Sequence, residues 1–293
     1  MKKVAIITDS GSDISYEDEK RLSIEILPFK IAMGEESYVS RIDFDNEKFY
    51  KMLDEFEGLP ATSQITTFQF QDLYEEKANE GYTDLVLVLI NAEGSATFKN
   101  AVYAKQLFFE ENPKYEGKIN IHLFDSRSYS LGYGEVVVEA AEMLQKGVEL
   151  EQVLTHIQDK IERNVVYFGM YSLKYAAKSG RIPSAAAFVG EALGLKPIMR
   201  IFDHKIATAK KAHGEKRLVP MIVESVLKDM EPNTPYTLVY GNDSSVLAPI
   251  EKLMTEAVGY PPVRKFQIGA AIAINAGPKV VGVSYDRKLE ENE

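Results

Sequence analysis

A chain of 293 residues is longer than one typical domain and suits two, and at 45% hydrophobic and 27% charged residues it can bury a substantial core. Its net charge of −10 argues against a nucleic-acid backbone or an anionic membrane surface as the main partner. It has no cysteine, which excludes disulfides and thiolate metal sites and suits a reducing compartment; a cytoplasmic location is expected.

The first apolar run, Val4 to Thr8, meets Asp9 too soon to be a signal-peptide core. No run approaches the roughly 18–20 apolar residues of a membrane span. Four short runs read as strands buried on both faces: VAIIT (4–8), IEILPF (24–29), LVLVLI (85–90) and INIHLF (119–124). Helical periodicity fills 46–56, 67–81, 96–111 and 133–147. This alternation predicts an α/β domain with a mainly parallel sheet, whose ligand site lies beyond the carboxyl ends of the strands.

A helix over 149–164 leads into a second half of different texture. VVYFGM (165–170) is strand-like, LKYAAKSGRIP contains a Gly-Arg turn, and SAAAFVGEALGL (184–195) reads as a small-residue helix. A hairpin over 198–209, a helix at 216–229, a strand at 236–242, a helix near 245–257 and the stretch 266–286 follow. Closely spaced strands with helices grouped between them predict an α+β domain. The domains expected are therefore 1–162 and 163–293.

Small and hydroxyl residues collect at the strand ends. Thr8-Asp9-Ser10-Gly11-Ser12 follows the first strand, Asn91 to Thr97 the third, and Asp125-Ser126-Arg127-Ser128 the fourth, while Pro60-Ala61-Thr62-Ser63-Gln64 precedes a helix. Ser95 is not a nucleophile elbow, because Glu93 and Thr97 stand where G-x-S-x-G needs glycines. None of the four histidines, at 122, 156, 204 and 213, stands in an evident base position. Two readings of Ser95 remain: a helix N-cap, or a cap that also helps bind an anion at free first-turn N–H groups. The same holds for Thr62 and Ser63.

Nucleotide-loop fingerprints are absent. Asp9 is expected to hold neighbouring loops by accepting their N–H groups, with cation binding as the alternative. Arg181, in KSGRIP, reads locally as a surface arginine or as the basic residue most relevant to an anion. No spacing suits a metal.

Taken in order, TDSGSD (8–13), Thr62-Ser63-Gln64, INAEGSATFKNA, FDSRSYSLGYG, LKYAAKSGRI, LGLKPI and IGAAIAINAGPKVVGV resemble the motifs of the DegV family, fatty-acid-binding subunits of bacterial fatty acid kinase. The resemblance covers nearly the whole chain. It implies a two-domain fold of an α/β lipid-binding domain and an α+β domain closing the head-group site. It implies a buried long-chain fatty acid whose carboxylate a separate kinase subunit, resembling dihydroxyacetone kinase, converts to an acyl phosphate. By resemblance Thr62, Ser63, Ser95, Ala96, Arg181 and Asn275 form the polar end, with no catalytic residue, cofactor or metal, and with membrane contact at most transient. The sequence departs from the family in two places: Asn275 replaces a histidine, and Asn91-Ala92-Glu93-Gly94 replaces S-S-G-L. Glu93 is expected to face solvent. The alternative is an enzyme acting on a small phosphorylated or carboxylated metabolite, with Asp9 and Asp125 as acid–base candidates.

Overall fold

The architecture is taken from a computed structural model that describes residues 2–182 and 194–289. Its first half runs β1 (Val4–Asp9), α1 (Tyr16–Leu22), β2 (Glu25–Leu27), β3 (Lys30–Met33), β4 (Glu36–Val39), α2 (Asn46–Glu55), β5 (Ala61–Ser63), α3 (Thr67–Asn79), β6 (Asp84–Leu89), α4 (Thr97–Glu111), β7 (Asn120–Asp125), α5 (Leu131–Gln145) and α6 (Leu150–Arg163). A four-stranded sheet has the order β2-β1-β6-β7, all pairs parallel. All six residues of β6 are buried, as a central strand covered on both faces requires.

Helix α1 and the three strands of a small second sheet lie outside the predicted set. Helix α1 buries only Leu22, so it lacks an apolar stripe; Ser15, whose side chain accepts the Asp18 N–H, and an acidic first turn mark its start. Strands β3, β4 and β5 form a small antiparallel sheet of order β4-β3-β5. The segment 60–64, read as a loop, is therefore an edge strand in part, with Thr62 opposite Ile31 and Ser63 opposite Lys30. Strands of three and four residues are too short to display a period.

The second half runs β8 (Asn164–Met170), α7 (Ala176–Ser179), β9 (Leu195–Phe202), β10 (Lys205–His213), α8 (Glu215–Asp229), β11 (Tyr236–Tyr240), α9 (Leu247–Val258), β12 (Arg264–Gln267), α10 (Ala270–Ala276) and β13 (Val280–Asp286). Its six-stranded sheet has the order β10-β9-β8-β13-β11-β12, antiparallel except for the β11–β12 pair. Most of the predicted helix at 184–195 falls outside the described residues; Leu195 already begins β9. The stretch 266–286 divides into the end of β12, helix α10 over Ala270–Ala276, and β13. The N-cap of α10 is anchored across the fold: the Gly269 N–H donates to Asp13 Oδ1 at 2.8 Å.

One face of the six-stranded sheet carries α8 and α9 over a core that includes Val165, Leu218, Ile222, Ile250 and Val283. The opposite face shares a continuous apolar core with the α/β half, joining Val166, Phe168, Ile201 and Val239 to Ile90, Leu131 and Val136. The cavity described next opens within this shared layer.

A cavity between the two sheets

Parallel strands bring the ends of β1, β6 and β7 to one edge, where buried carboxylates hold the loops together. Asp9 is fully buried; its Oδ1 accepts the Gly11 N–H at 3.0 Å and the Tyr133 hydroxyl at 2.6 Å, and its Oδ2 accepts the Ile90 N–H at 2.8 Å. Burial pushes its carboxyl up to about 6 despite these donors. Asp125 Oδ1 accepts the N–H groups of Ala92 at 3.0 Å and Arg127 at 3.1 Å. Both aspartates serve the loops, and neither lines the cavity, so the geometry gives the acid–base alternative no support.

A third carboxylate spans the halves. Asp13 Oδ2 accepts the Ser130 hydroxyl at 2.5 Å while its Oδ1 holds Gly269, and both partners lead into cavity-lining segments. Burial first of all drives the Asp13 carboxyl up to about 7, with the charge of Arg41 opposing.

The loop from β6 to α4 is built around Asn91, which is fully buried. Its Oδ1 accepts the Glu93 N–H at 3.0 Å, and its Nδ2 donates to the His204 carbonyl at 2.8 Å and to the Tyr129 hydroxyl at 3.0 Å. Ser95 lies one position before the cap, which is Ala96. This corrects the expectation of Ser95 as N-cap. Its Oγ nevertheless accepts the Thr97 N–H at 3.3 Å and pairs with Thr97 Oγ1 at 2.9 Å. Thr97 Oγ1 in turn accepts the Ile65 N–H at 3.3 Å, tying the start of α4 to the segment after β5.

The cavity formed here has a volume of about 110 Å³. Its polar lining includes Thr62, Ser63, Gln64, Ser95, Arg181 and Asn275, and its apolar lining includes Phe29, Ile90, Leu131, Phe168, Ile201 and Ile272. Five of the six expected site residues thus come together from β5, the loop before α4, the turn after α7, and α10. Ala96, the N-cap of α4, is not among the lining residues. Thr62, Arg181 and Asn275 also line an adjoining surface depression, which marks this end as the mouth. Thr62, Ser63 and Arg181 are exposed there. Asn275 Nδ2 donates back to the Ala271 carbonyl at 2.8 Å. Glu93 is exposed and outside the lining, as expected.

Sequence reading missed Tyr129 and Gly94, which also line the cavity. Neither carries a local signal: one looks like a loop aromatic, the other like a turn glycine. Among the described residues no helix is long and apolar enough to cross a membrane.

Residues 3–288 match the family model described as "Uncharacterised protein, DegV family". A DegV domain-containing protein of Clostridium perfringens is 28% identical over 297 residues, covering 99% of this chain and 100% of its own. A second, from Caldanaerobacter subterraneus, is 27% identical over 295 residues, covering 98% and 100%. Among solved structures, a DegV family protein from Thermus thermophilus described as binding fatty acid superposes with a TM-score of 0.82 at 25% identity, covering 97% of this chain and 99% of its own. A stearic acid-binding protein from Eubacterium ventriosum superposes with a TM-score of 0.85 at 23% identity, covering 98% and 99%, and shows the same fold.

Proposed function

This chain belongs to the DegV family, and from that membership we propose that it binds a long-chain fatty acid and presents the carboxylate to a separate kinase subunit for acyl-phosphate formation. One observation carries the reading: a cavity with a largely apolar lining also presents the hydroxyls of Thr62, Ser63 and Ser95, close to the start of α4. Each buried methylene contributes roughly 0.8 kcal/mol, so the tail supplies ample affinity. A carboxylate is costly to bury bare, and it needs donors at its end of the cavity. In this reading Thr62, Ser63 and Ser95 satisfy it by hydrogen bonds, and Asn275 borders it.

Arg181 is exposed at the mouth and holds no ion pair among the described residues. We assign it to the head group through solvent or to docking of the kinase subunit, one resembling dihydroxyacetone kinase. A tight buried ion pair would make the carboxylate a poorer nucleophile, and hydroxyl donors avoid that. Residues 1–162 act as the lipid-binding domain and 163–293 close the head-group site. The chain itself contributes no catalytic residue.

The test is to extract the purified protein with organic solvent, analyse the extract by mass spectrometry, and titrate the stripped protein with palmitate and oleate. A co-purifying acyl chain or saturable binding is expected. Recovery of no acyl chain, together with no binding of either acid, overturns the reading.

A further inference from the structure

The hydrogen-bond network at the polar end leaves one donor without an assigned acceptor. Asn91 is oriented by two unambiguous partners: the Glu93 N–H can only donate to Oδ1, and the His204 carbonyl can only accept from Nδ2. His204 Nδ1, at 2.8 Å from the same Oδ1, must therefore carry its proton. With the amide fixed, the second Nδ2 hydrogen donates to the Tyr129 oxygen at 3.0 Å. That oxygen is an acceptor in this pair, so its own hydrogen is free to donate. No acceptor for it exists among the described residues.

The position of the ring is as specific as its polarity. A Cβ on Gly94 would stand 2.2 Å from the Tyr129 hydroxyl oxygen and 2.8 Å from Cε1, so the ring lies directly over the glycine. Gly94 has no positive φ, and its backbone does not demand glycine; the space above it does. Gly94, Ser95, Tyr129 and Arg181 all line the cavity. Burial raises the phenol's pKa above its ordinary value, so it keeps its hydrogen at neutral pH.

We propose that Tyr129 is a further ligand-binding residue of this cavity, donating its phenolic hydrogen to the anionic head group, and that Gly94 is required to admit it. The proposal rests on the fatty-acid reading and deepens it. Tyr129 selects a carboxylate over a neutral head group on the same chain, because a hydrogen bond to a charged acceptor is worth more than one to a neutral acceptor. The buried Asn91 is a positioning residue that turns the hydroxyl outward from the protein network and into the cavity.

Binding of palmitate and of methyl palmitate to the wild type and to Tyr129→Phe tests this, with thermal melting as the check on folding. The variant loses one oxygen and keeps the ring. Palmitate affinity is expected to fall roughly 10- to 100-fold, and methyl palmitate affinity by about threefold or less. Gly94→Ala, by displacing the ring, is expected to reproduce the palmitate loss, and adding Tyr129→Phe to it should cost little more. Unchanged palmitate affinity in Tyr129→Phe overturns the proposal, as does an equal loss for acid and ester; both leave the fatty-acid reading standing. A wild type that binds neither ligand removes that reading and this proposal with it.

Discussion

His204 Nδ1 donates to Asn91 Oδ1 at 2.8 Å across 113 positions of sequence, joining the β9–β10 turn to the loop that opens α4. Asn91 thus serves as a buried four-way junction between the two sheets. Asn91→Ala would remove the partner of the Glu93 N–H, the His204 carbonyl, the His204 Nδ1–H and the Tyr129 hydroxyl. At about 1–3 kcal/mol for a buried group left unsatisfied, a total cost of about 3 kcal/mol is expected. Urea denaturation of the two proteins measures it. A difference below about 1 kcal/mol would mean that water replaces the amide and that the junction is not structural.

The Asp13–Ser130–Gly269 link predicts an unusual pH dependence. Asp13 and Asp9 are raised from the ordinary 3.8 to about 7 and about 6, so between those limits the folded chain holds protons that the unfolded chain has released. Their stabilising contribution is full below about pH 4 and is lost as pH rises through about 6 and 7. Glu135, raised by burial to about 7, acts in the same direction. Asp84, Glu139 and Glu142 are lowered, and their effect falls in more acidic solution. Stability is therefore expected to decline from pH 5 to pH 8. In Asp13→Asn the Ser130 hydroxyl can reverse and accept, preserving the link, and the slope should flatten by up to about 1.4 kcal/mol per pH unit. Denaturation midpoints at four pH values decide this; an unchanged slope would show that Asp13 titrates normally.

If the proposed function holds, Ser95 is expected to separate binding from turnover. Its hydroxyl already engages Thr97 at the start of α4, while the apolar lining of the cavity comes from other residues such as Phe29, Leu131 and Ile272. Ser95→Ala is expected to lower palmitate affinity roughly tenfold and leave binding measurable, since one hydrogen bond to a charged head group is lost from a ligand held mainly by apolar contact. Acyl-phosphate formation with the kinase subunit should fall much further. Parallel binding and phosphorylation assays read both quantities, and a proportionate loss in the two would assign Ser95 to binding alone.

Helix α10 offers a way to map the tail. Ala271 lies one turn before Asn275 and, like it, lines the cavity. Ala271→Phe inserts a ring into the path of the chain. The acyl species recovered by mass spectrometry should shift to shorter chains, and palmitate affinity should drop by more than tenfold. An unaltered acyl profile would place the tail away from α10.

Much of this protein was legible in the linear chain. Strand–helix alternation identified the parallel sheet, because continuous apolar runs such as Leu85 to Ile90 report burial on both faces. Hydroxyls after the parallel strands placed Ser95 at the edge where ligands bind, since parallel strands deliver their ends to the same side; Thr62 and Ser63 were grouped with it by the family resemblance, because they lie in β5 of the separate antiparallel sheet. Tertiary structure alone decided the rest. It placed 61–63 in a strand, because β5 is defined by its bonds to β3 and has too few residues to show a period. It anchored the start of the helix at 270–276, with Asp13, more than 250 positions away, holding the N–H of the capping Gly269. It also set Tyr129 over Gly94, a fit between two residues 35 apart that no local pattern encodes. Periodicity tells a residue which face it buries; what that face meets is settled by strand pairing and packing over long sequence distances.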